Sequence, residues 1–178
     1  KMKALGWEVT GLDSSANAIA VANAAGIKAL RGDFDHPEVA SLKFDCITLR
    51  QVLEHLHNPI ETLMNARKHL ATKGKMSISV PNIESLPFRW YQEDWLGIDF
   101  PRHLLFFNPT SLKSMLSKAG LKVLEMRQIR HSSWLRESAS NALKAKGFGF
   151  KRWMGSRKLS SSLISLWAGL TNQCDCIQ

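Results

Sequence analysis

The chain has 178 residues, enough to bury a core in one domain, and its hydrophobic fraction of 44% is that of a globular protein, which argues against disorder. No apolar run reaches the length needed to cross a bilayer, and three cysteines do not make a disulfide framework, so a reducing cytoplasm is expected. The net charge of +9 is unevenly placed: Arg127, Arg130, Arg136, Lys144, Lys146, Lys151, Arg152, Arg157 and Lys158 share their stretch with the single acid Glu137. Such a surface favours anionic partners, whether phosphates, lipid headgroups or nucleic acid, without choosing among them.

In chain order, Lys1–Leu5 reads as the tail of a helix ended by Gly6, and residues 7–12 as a strand with Asp13 at its carboxyl end. Ser14 or Ser15 then caps an alanine-rich helix that ends at Gly26. Residues 27–31 form the next short strand, closed by Gly32-Asp33-Phe34. Residues 44–49 are a short apolar, β-branched run that reads as a strand buried on both faces. It gives way to a polar turn, Arg50-Gln51 followed by Glu54-His55 and His57-Asn58-Pro59, and Asn58 caps a helix with Pro59 at its first position. Ile60, Leu63, Met64 and Leu70 give that helix an apolar face; Gly74 follows it, and residues 76–80 are a further buried strand. Strand, turn, helix and strand make a βαβ unit, and ligands of such sheets sit beyond the carboxyl ends of the strands. Arg50 to His57 and Pro81-Asn82 are therefore expected on the rim of a binding crevice.

Beyond Asn82 the alternation stops. Residues 83–105, with Trp90, Tyr91, Trp95 and Phe100 among prolines and charges, read as an inserted, partly ordered cap. Asn108 caps a helix with Pro109 at its first position, carrying Leu112, Met115, Leu116 and Ala119 on one face and ending at Gly120. Residues 121–129 read as a strand. The remainder, 132–178, is basic and helical in spacing, with an apolar stripe of Leu159, Leu163, Leu166, Trp167 and Leu170. That stripe suits a helix packed on the domain with a solvated basic face, and also a membrane-surface helix.

Several residues carry a chemical and a structural explanation side by side. An acid after a strand of a nucleotide-binding sheet, as Asp13 is, accepts hydrogen bonds from ribose hydroxyls, yet an acid at a helix N-terminus is also favoured by the dipole. Asp33 suits an adenine amino group, with Phe34 beside the ring, but Gly-Asp is also ordinary turn chemistry. His55 on the rim and His103 in PRHLL are general-base candidates, imidazole being the side chain that titrates near neutral pH; each also suits a hydrogen-bonded brace. Cys174 and Cys176 lack a second ligand pair, and no metal site is expected from them.

Together, GWEVTGLDSS (6–15), GDF (32–34), FDCITLRQVLEHLHNP (44–59), HLATKGKMSISVPN (69–82) and PRHLLFFNPTSLKSMLSKAGL (101–121) resemble the class I S-adenosylmethionine-dependent methyltransferases over about residues 1–130. The likeness is to the small-molecule enzymes of quinone, polyketide and cell-surface sugar pathways. It implies an α/β, Rossmann-like, mostly parallel sheet with helices on both faces and S-adenosyl-L-methionine as cofactor. By that similarity Asp13, with Ser14 beside it, holds the ribose hydroxyls. Asp33 and Phe34 contact the adenine, and Arg50 and Gln51 line the methionine end. The chemistry implied is in-line displacement at a sulfonium methyl, with His55 or His103 as base for an oxygen acceptor and no base needed for some carbon or nitrogen acceptors. The cap at 83–105 is the expected seat of acceptor specificity, within a domain spanning 1–130; 131–178 form a basic helical region packed on or extending it.

The family's glycine-rich loop, which follows its first strand, is not in this sequence, so the resemblance implies a fragment without that central strand; the last, antiparallel strand is also not evident before Gln178. The expected partners are a small-molecule acceptor rather than nucleic acid, with contact to an anionic membrane surface and self-association left open. Two other readings remain: a non-catalytic methyltransferase-like module docking on a membrane or partner, and an NAD-dependent oxidoreductase, against which the VLEHL and PRHLLFF stretches speak.

Overall fold

The computed structural model describes residues 2–147 and 149–178; Lys1, counted above in the first helix tail, and Phe148 of the basic region lie outside them. The chain forms two compact units, Lys1–Ile47 with Thr62–Lys75, and Thr48–Glu61 with Met76–Gln178. Among the described residues the strands fall into a two-stranded and a four-stranded sheet.

In the first unit, β1 (Thr10–Asp13) and β2 (Lys28–Arg31) pair in parallel, with Asp13 opposite Arg31. β1 therefore starts three residues later than expected and includes Asp13. Helix α1 (Ala16–Ala24) crosses between them, and it is Ser15, not Ser14, that caps it, accepting from the Ala18 N–H at 3.3 Å. The Asn23 side chain fastens the end of α1 to β2 by exchanging two hydrogen bonds with the backbone of Ala29, at 3.1 and 2.9 Å. Gly32, at φ +140°, turns the chain out of β2 so that its N–H meets the Asp13 carbonyl at 3.0 Å; a side chain there would be strained. The strand β3 (Phe44–Arg50), the helix α2 (Pro59–Lys68) and the strand β4 (Leu70–Pro81) begin or run in this unit and continue the chain.

Three expectations for this stretch are corrected. β3 is not buried on both faces: Ile47 and Leu49 are buried while Cys46 and Thr48 are exposed, the period-two alternation of a strand covered on one side. In α2, Leu63 and Ala66 are buried, but Met64 is exposed and Leu70 already belongs to β4. Gly74 does not separate helix from strand but lies inside β4, where a Cβ would stand 2.7 Å from the Phe44 carbonyl oxygen and 2.9 Å from the Ala71 nitrogen. Only glycine permits that close backbone approach.

The larger sheet has the order β3-β4-β6-β5. β3 and β4 run in the same sense, since the Phe44 N–H donates to His69 near their starts and the Gln51 N–H to Ser79 near their ends, both at 2.8 Å. In the second unit, α3 (Leu86–Tyr91) is followed by a single turn at Gln92–Asp94, then by α4 (Pro109–Lys118), closed at its N-terminus by a reciprocal Asn108–Ser111 capping box. β5 is only Gln128–Ile129; Arg127 just before it also exchanges backbone hydrogen bonds with Gln178, at 2.6 and 2.8 Å, while the rest of the expected strand 121–129 forms no ladder. The partner of β5 is β6 (Cys176–Ile177), antiparallel to both β4 and β5. The antiparallel strand that was not evident before Gln178 is thus present, two residues long and too short to leave a periodic signal. Pro81 and Asn82, expected on a rim, are buried; the Asn82 amide bonds the Cys174 carbonyl and the Glu84 N–H, at 3.1 and 3.0 Å.

Helices α5 (Ser132–Lys146), α6 (Phe150–Ser156) and α7 (Lys158–Leu170) complete the second unit. Segment 83–105 is well anchored: Tyr91 and Trp95 are buried with Leu135, Ala139 and Ala142 of α5 in one apolar cluster. α7 is turned the other way from the packed-helix reading. It buries Ser161, Ser165 and Ala168 and exposes Leu159, Leu163, Leu166, Trp167 and Leu170. Small side chains make the buried face because they permit close approach to a neighbouring surface.

Asp175, just before β6, is 3% exposed; its Oδ2 accepts from the His131 N–H at 2.8 Å while Oδ1 has no partner. Burial pushes its carboxyl from an ordinary 3.8 up to about 7. The folded state thus holds this proton more tightly than the unfolded chain, and stability falls as pH rises from about 4 through about 7. Asp175→Asn keeps an oxygen for His131 and removes the buried charge. The variant is expected to melt above the parent at pH 8, with the gap closing toward pH 4; a gap that does not change with pH would contradict this.

Candidate functional site

The first unit brings two of the expected carboxylates to one edge. Asp13 ends β1, and Asp33 follows β2 in the parallel pair, so both stand at the carboxyl ends of adjacent strands. Each is exposed and fixed by one local bond: Asp13 Oδ1 accepts from the Ser15 N–H at 2.7 Å, and Asp33 Oδ1 accepts from the Asp35 N–H at 2.9 Å. In both, Oδ2 stands outside these bonds. Ser14 lies beside Asp13, with its carbonyl accepting from Arg31 Nε at 3.1 Å. Phe34 is half-buried and stacks on His69, ring centroids 5.5 Å apart. Two exposed, oriented acceptors and a ring are a donor-free set, suited to a ligand that offers hydroxyl and amino hydrogens, as a nucleoside does.

The second unit holds the others. Arg50 is exposed at the end of β3. Gln51 has a left-handed backbone, φ +53°, uncommon for a residue with a side chain. Its amide points inward, donating to Ser79 Oγ at 3.1 Å and to Cys176 Sγ at 3.7 Å. Gln51 therefore braces the end of the strand, and its main chain rather than its amide nitrogen is what it can offer a ligand. Burial pushes the Cys176 thiol up to about 12, which keeps it a neutral packing group.

His55 and His103 come together, rings edge to face with centroids 4.7 Å apart. The turn Leu53–His55 presents His55 to solvent and buries Glu54 completely. The main-chain carbonyl of Glu54 accepts from the N–H groups of both Leu104 and Leu105, at 2.7 and 3.2 Å, which locks the PRHLL segment to this turn. His55 Nδ1–H donates to the Arg102 carbonyl at 3.0 Å, and buried His103 Nδ1–H donates to the Gly97 carbonyl at 2.9 Å. Both bonds fix the tautomer and leave Nε2 with its lone pair. Burial lowers the His103 pKa, only partly offset by the Gly97 bond. His103 Nε2 stands 3.9 Å from Asp99 Oδ2, a carboxylate that also pairs with Arg102.

Glu54 was not singled out from the sequence as a site residue. Its side chain is 0% exposed and neither carboxylate oxygen has a hydrogen-bond partner. Burial raises its pKa above the usual carboxylate range. The available signal was its place, a charged residue next to a candidate histidine in a turn that ends a strand. Nearby, an open depression of about 690 Å³ is lined by Trp95, Ile98, Phe100, Phe106 and Asp99 among others, and so shares Asp99 with the histidine pair.

Residues 1–126 match the family described as "Methyltransferase domain". Among solved structures the chain is similar to a SAM-dependent methyltransferase from Archaeoglobus fulgidus, with 22% identity, a TM-score of 0.59, and 72% of this chain and 57% of that one covered. It is also similar to one from Thermotoga maritima, with 21% identity, a TM-score of 0.57, and 68% and 58% covered. The CcbJ methyltransferase from Streptomyces caelestis follows at 18% identity and a TM-score of 0.56, with 71% and 68% covered. At such identities the likeness is one of fold, and the chain spans less than two thirds of the length of the first two structures. No curated protein matches the sequence.

Proposed function

The chain belongs to the methyltransferase domain family, and from that premise we propose that it transfers a methyl group from S-adenosyl-L-methionine to a small-molecule acceptor at oxygen or carbon. The observation that carries this reading is the pair of exposed carboxylates, Asp13 and Asp33, fixed at the ends of parallel strands. Asp13, with Ser14 beside it, takes the ribose hydroxyls; Asp33 takes the adenine amino group, with Phe34 against the ring. Arg50 and the Gln51 main chain serve the methionine end.

When bound, S-adenosyl-L-methionine supplies a methyl already activated on a sulfonium, so the protein's work is alignment and exclusion of water. The 83–105 segment, in the same unit as the histidine pair, is the proposed seat of acceptor specificity. For an oxygen acceptor, His55 or His103 takes the proton on its Nε2 lone pair, the Nδ1–H of each being spent on a backbone carbonyl; a carbon acceptor needs no such base. Three free thiols, Cys46, Cys174 and Cys176, agree with a cytoplasmic setting. The test is a side-by-side titration with S-adenosylhomocysteine and NAD. Binding of the first alone is expected; binding of NAD alone would replace this function with the oxidoreductase one.

A second surface supports contact with an anionic membrane. The exposed α7 stripe adjoins α6, which exposes Phe150 and Trp153, and residues 138–174 carry Lys144, Lys146, Lys151, Arg152, Arg157 and Lys158 with no acid. No helix of the described residues is long and apolar enough to cross a membrane, and the contact proposed for this face is a surface one. Co-sedimentation with vesicles containing anionic lipid is expected at low salt, weakened by salt and by Leu163→Glu. Absence of binding at low ionic strength would remove this contact, and concentration-dependent self-association would assign the face to a second copy.

A further inference from the structure

Among the described residues, Glu54, His55 and His103 form a group of three ligating side chains, with one ligating atom from each lying within 4.8 Å of the others. The features of this group are those of a cation site rather than of a packing accident. Glu54 is fully buried, yet neither oxygen has a partner. A buried carboxylate in that state bears a large desolvation penalty as long as it is charged, and a bound cation would offset that penalty directly. Each histidine spends its Nδ1–H on a backbone carbonyl, Arg102 for His55 and Gly97 for His103. That arrangement orients a metal-binding imidazole and directs Nε2 at the ion.

We propose that Glu54, His55 and His103 together hold one divalent transition-metal ion. Two imidazole nitrogens and one carboxylate oxygen are the donor set of sites that take zinc, iron, manganese or cobalt, and they are too nitrogen-rich for calcium or magnesium. Bonds of about 2.0–2.2 Å to such an ion bring ligand atoms to about 3–3.5 Å from one another. The exposed His55 ring supplies the small movement needed. Asp99, 3.9 Å from His103 Nε2, adds negative potential from the same side, tempered by Arg102. Three protein ligands leave coordination positions open. An acceptor oxygen bound there would release its proton to solvent, which reaches the site at exposed His55, more readily than when unbound, so the histidines would act by holding the ion instead of taking the proton themselves. That last role rests on the methyltransferase reading; the ion site itself does not.

The test is Co(II) titration of the chelator-treated full chain, followed by calorimetry and visible absorption. One saturable equivalent is expected, displaced by Zn(II) and not by Mg(II). His55→Ala and Glu54→Gln are each expected to weaken binding more than about tenfold, the lower bound for disturbing even an outer-shell partner. Cys46→Ser, which removes the exposed thiol, is expected to change nothing. His103 is buried, so His103→Ala is scored only after its melting curve shows a folded protein, while His55, being exposed, keeps the test valid in any case. Binding without saturation, binding unaffected by His55→Ala and Glu54→Gln, or binding lost in Cys46→Ser would overturn the proposal. A parallel titration with S-adenosylhomocysteine separates the two claims: cobalt binding without nucleoside binding would keep the ion site and remove the acceptor role.

Discussion

Asp13→Ala is expected to weaken S-adenosylhomocysteine binding at least about 100-fold. The carboxylate accepts the Ser15 N–H through Oδ1 and leaves its remaining capacity to the ribose hydroxyls. Hydrogen bonds to a charged group contribute about 1.5–3 kcal/mol each, so losing a hydroxyl pair amounts to two decades or more. The structural explanation of Asp13, an acid bracing the start of α1, makes a different forecast. Under it Asp13→Ala would lower stability much as Ser15→Ala does, by loss of a helix-terminal bond, and leave nucleoside affinity untouched. Comparing the two variants by titration and by melting separates the explanations. Equal affinities in Asp13→Ala and Ser15→Ala would assign Asp13 to the helix cap. Asp33→Ala, which gives up a single bond to an amino group, is expected to fall between.

Trp95→Ala is expected to destabilise the second unit by about 3–5 kcal/mol, the range for truncating a buried large aromatic. Trp95 is 1% exposed, packs with Tyr91, Leu135, Ala139 and Ala142, and meets Phe88 edge to face at 5.6 Å. The neighbouring Gly97 confirms how tightly the ring is held, since a Cβ there would lie 2.4 Å from the indole. Whole domains are stable by only about 5–15 kcal/mol, so the midpoint of urea unfolding should fall steeply. Trp95→Phe should recover much of the loss, because the indole N–H is itself buried without a partner. The effect should also reach the histidine pair, as the Gly97 carbonyl that orients His103 follows Trp95 by two residues. Cobalt affinity of the folded Trp95→Ala protein is expected to drop; an unchanged unfolding midpoint would contradict the role given to Trp95.

What could be seen in the sequence was local chemistry. Asn108 with Pro109, the glycines at 26, 32 and 120, and the acids at strand ends act over three or four residues, and the structure places them as expected. What escaped was decided by distant pairing. β6 is two residues whose identity as a strand comes from β4 and β5 on either side, and β5 shrinks to two residues for the same reason. The stripe on α7 was legible, but not its direction: periodicity shows that a helix has two faces, and here the serine and alanine face is the one that is covered. Glu54 was passed over because a glutamate beside a histidine in a polar turn ordinarily points to water. Its burial follows from the contact of its own carbonyl with Leu104 and Leu105, fifty residues away along the chain.

The most direct test of the central claim is to map S-adenosylhomocysteine onto the backbone by amide chemical-shift perturbation. The largest changes are expected at Ser15, whose N–H bonds the Asp13 carboxylate, and at Gly32 to Asp35 around the second one. Saturable shifts centred on those amides, and absent in Asp13→Ala, are the predicted result. Saturable shifts elsewhere that leave Ser15 and Gly32 to Asp35 unmoved, or no shifts at all, would contradict it.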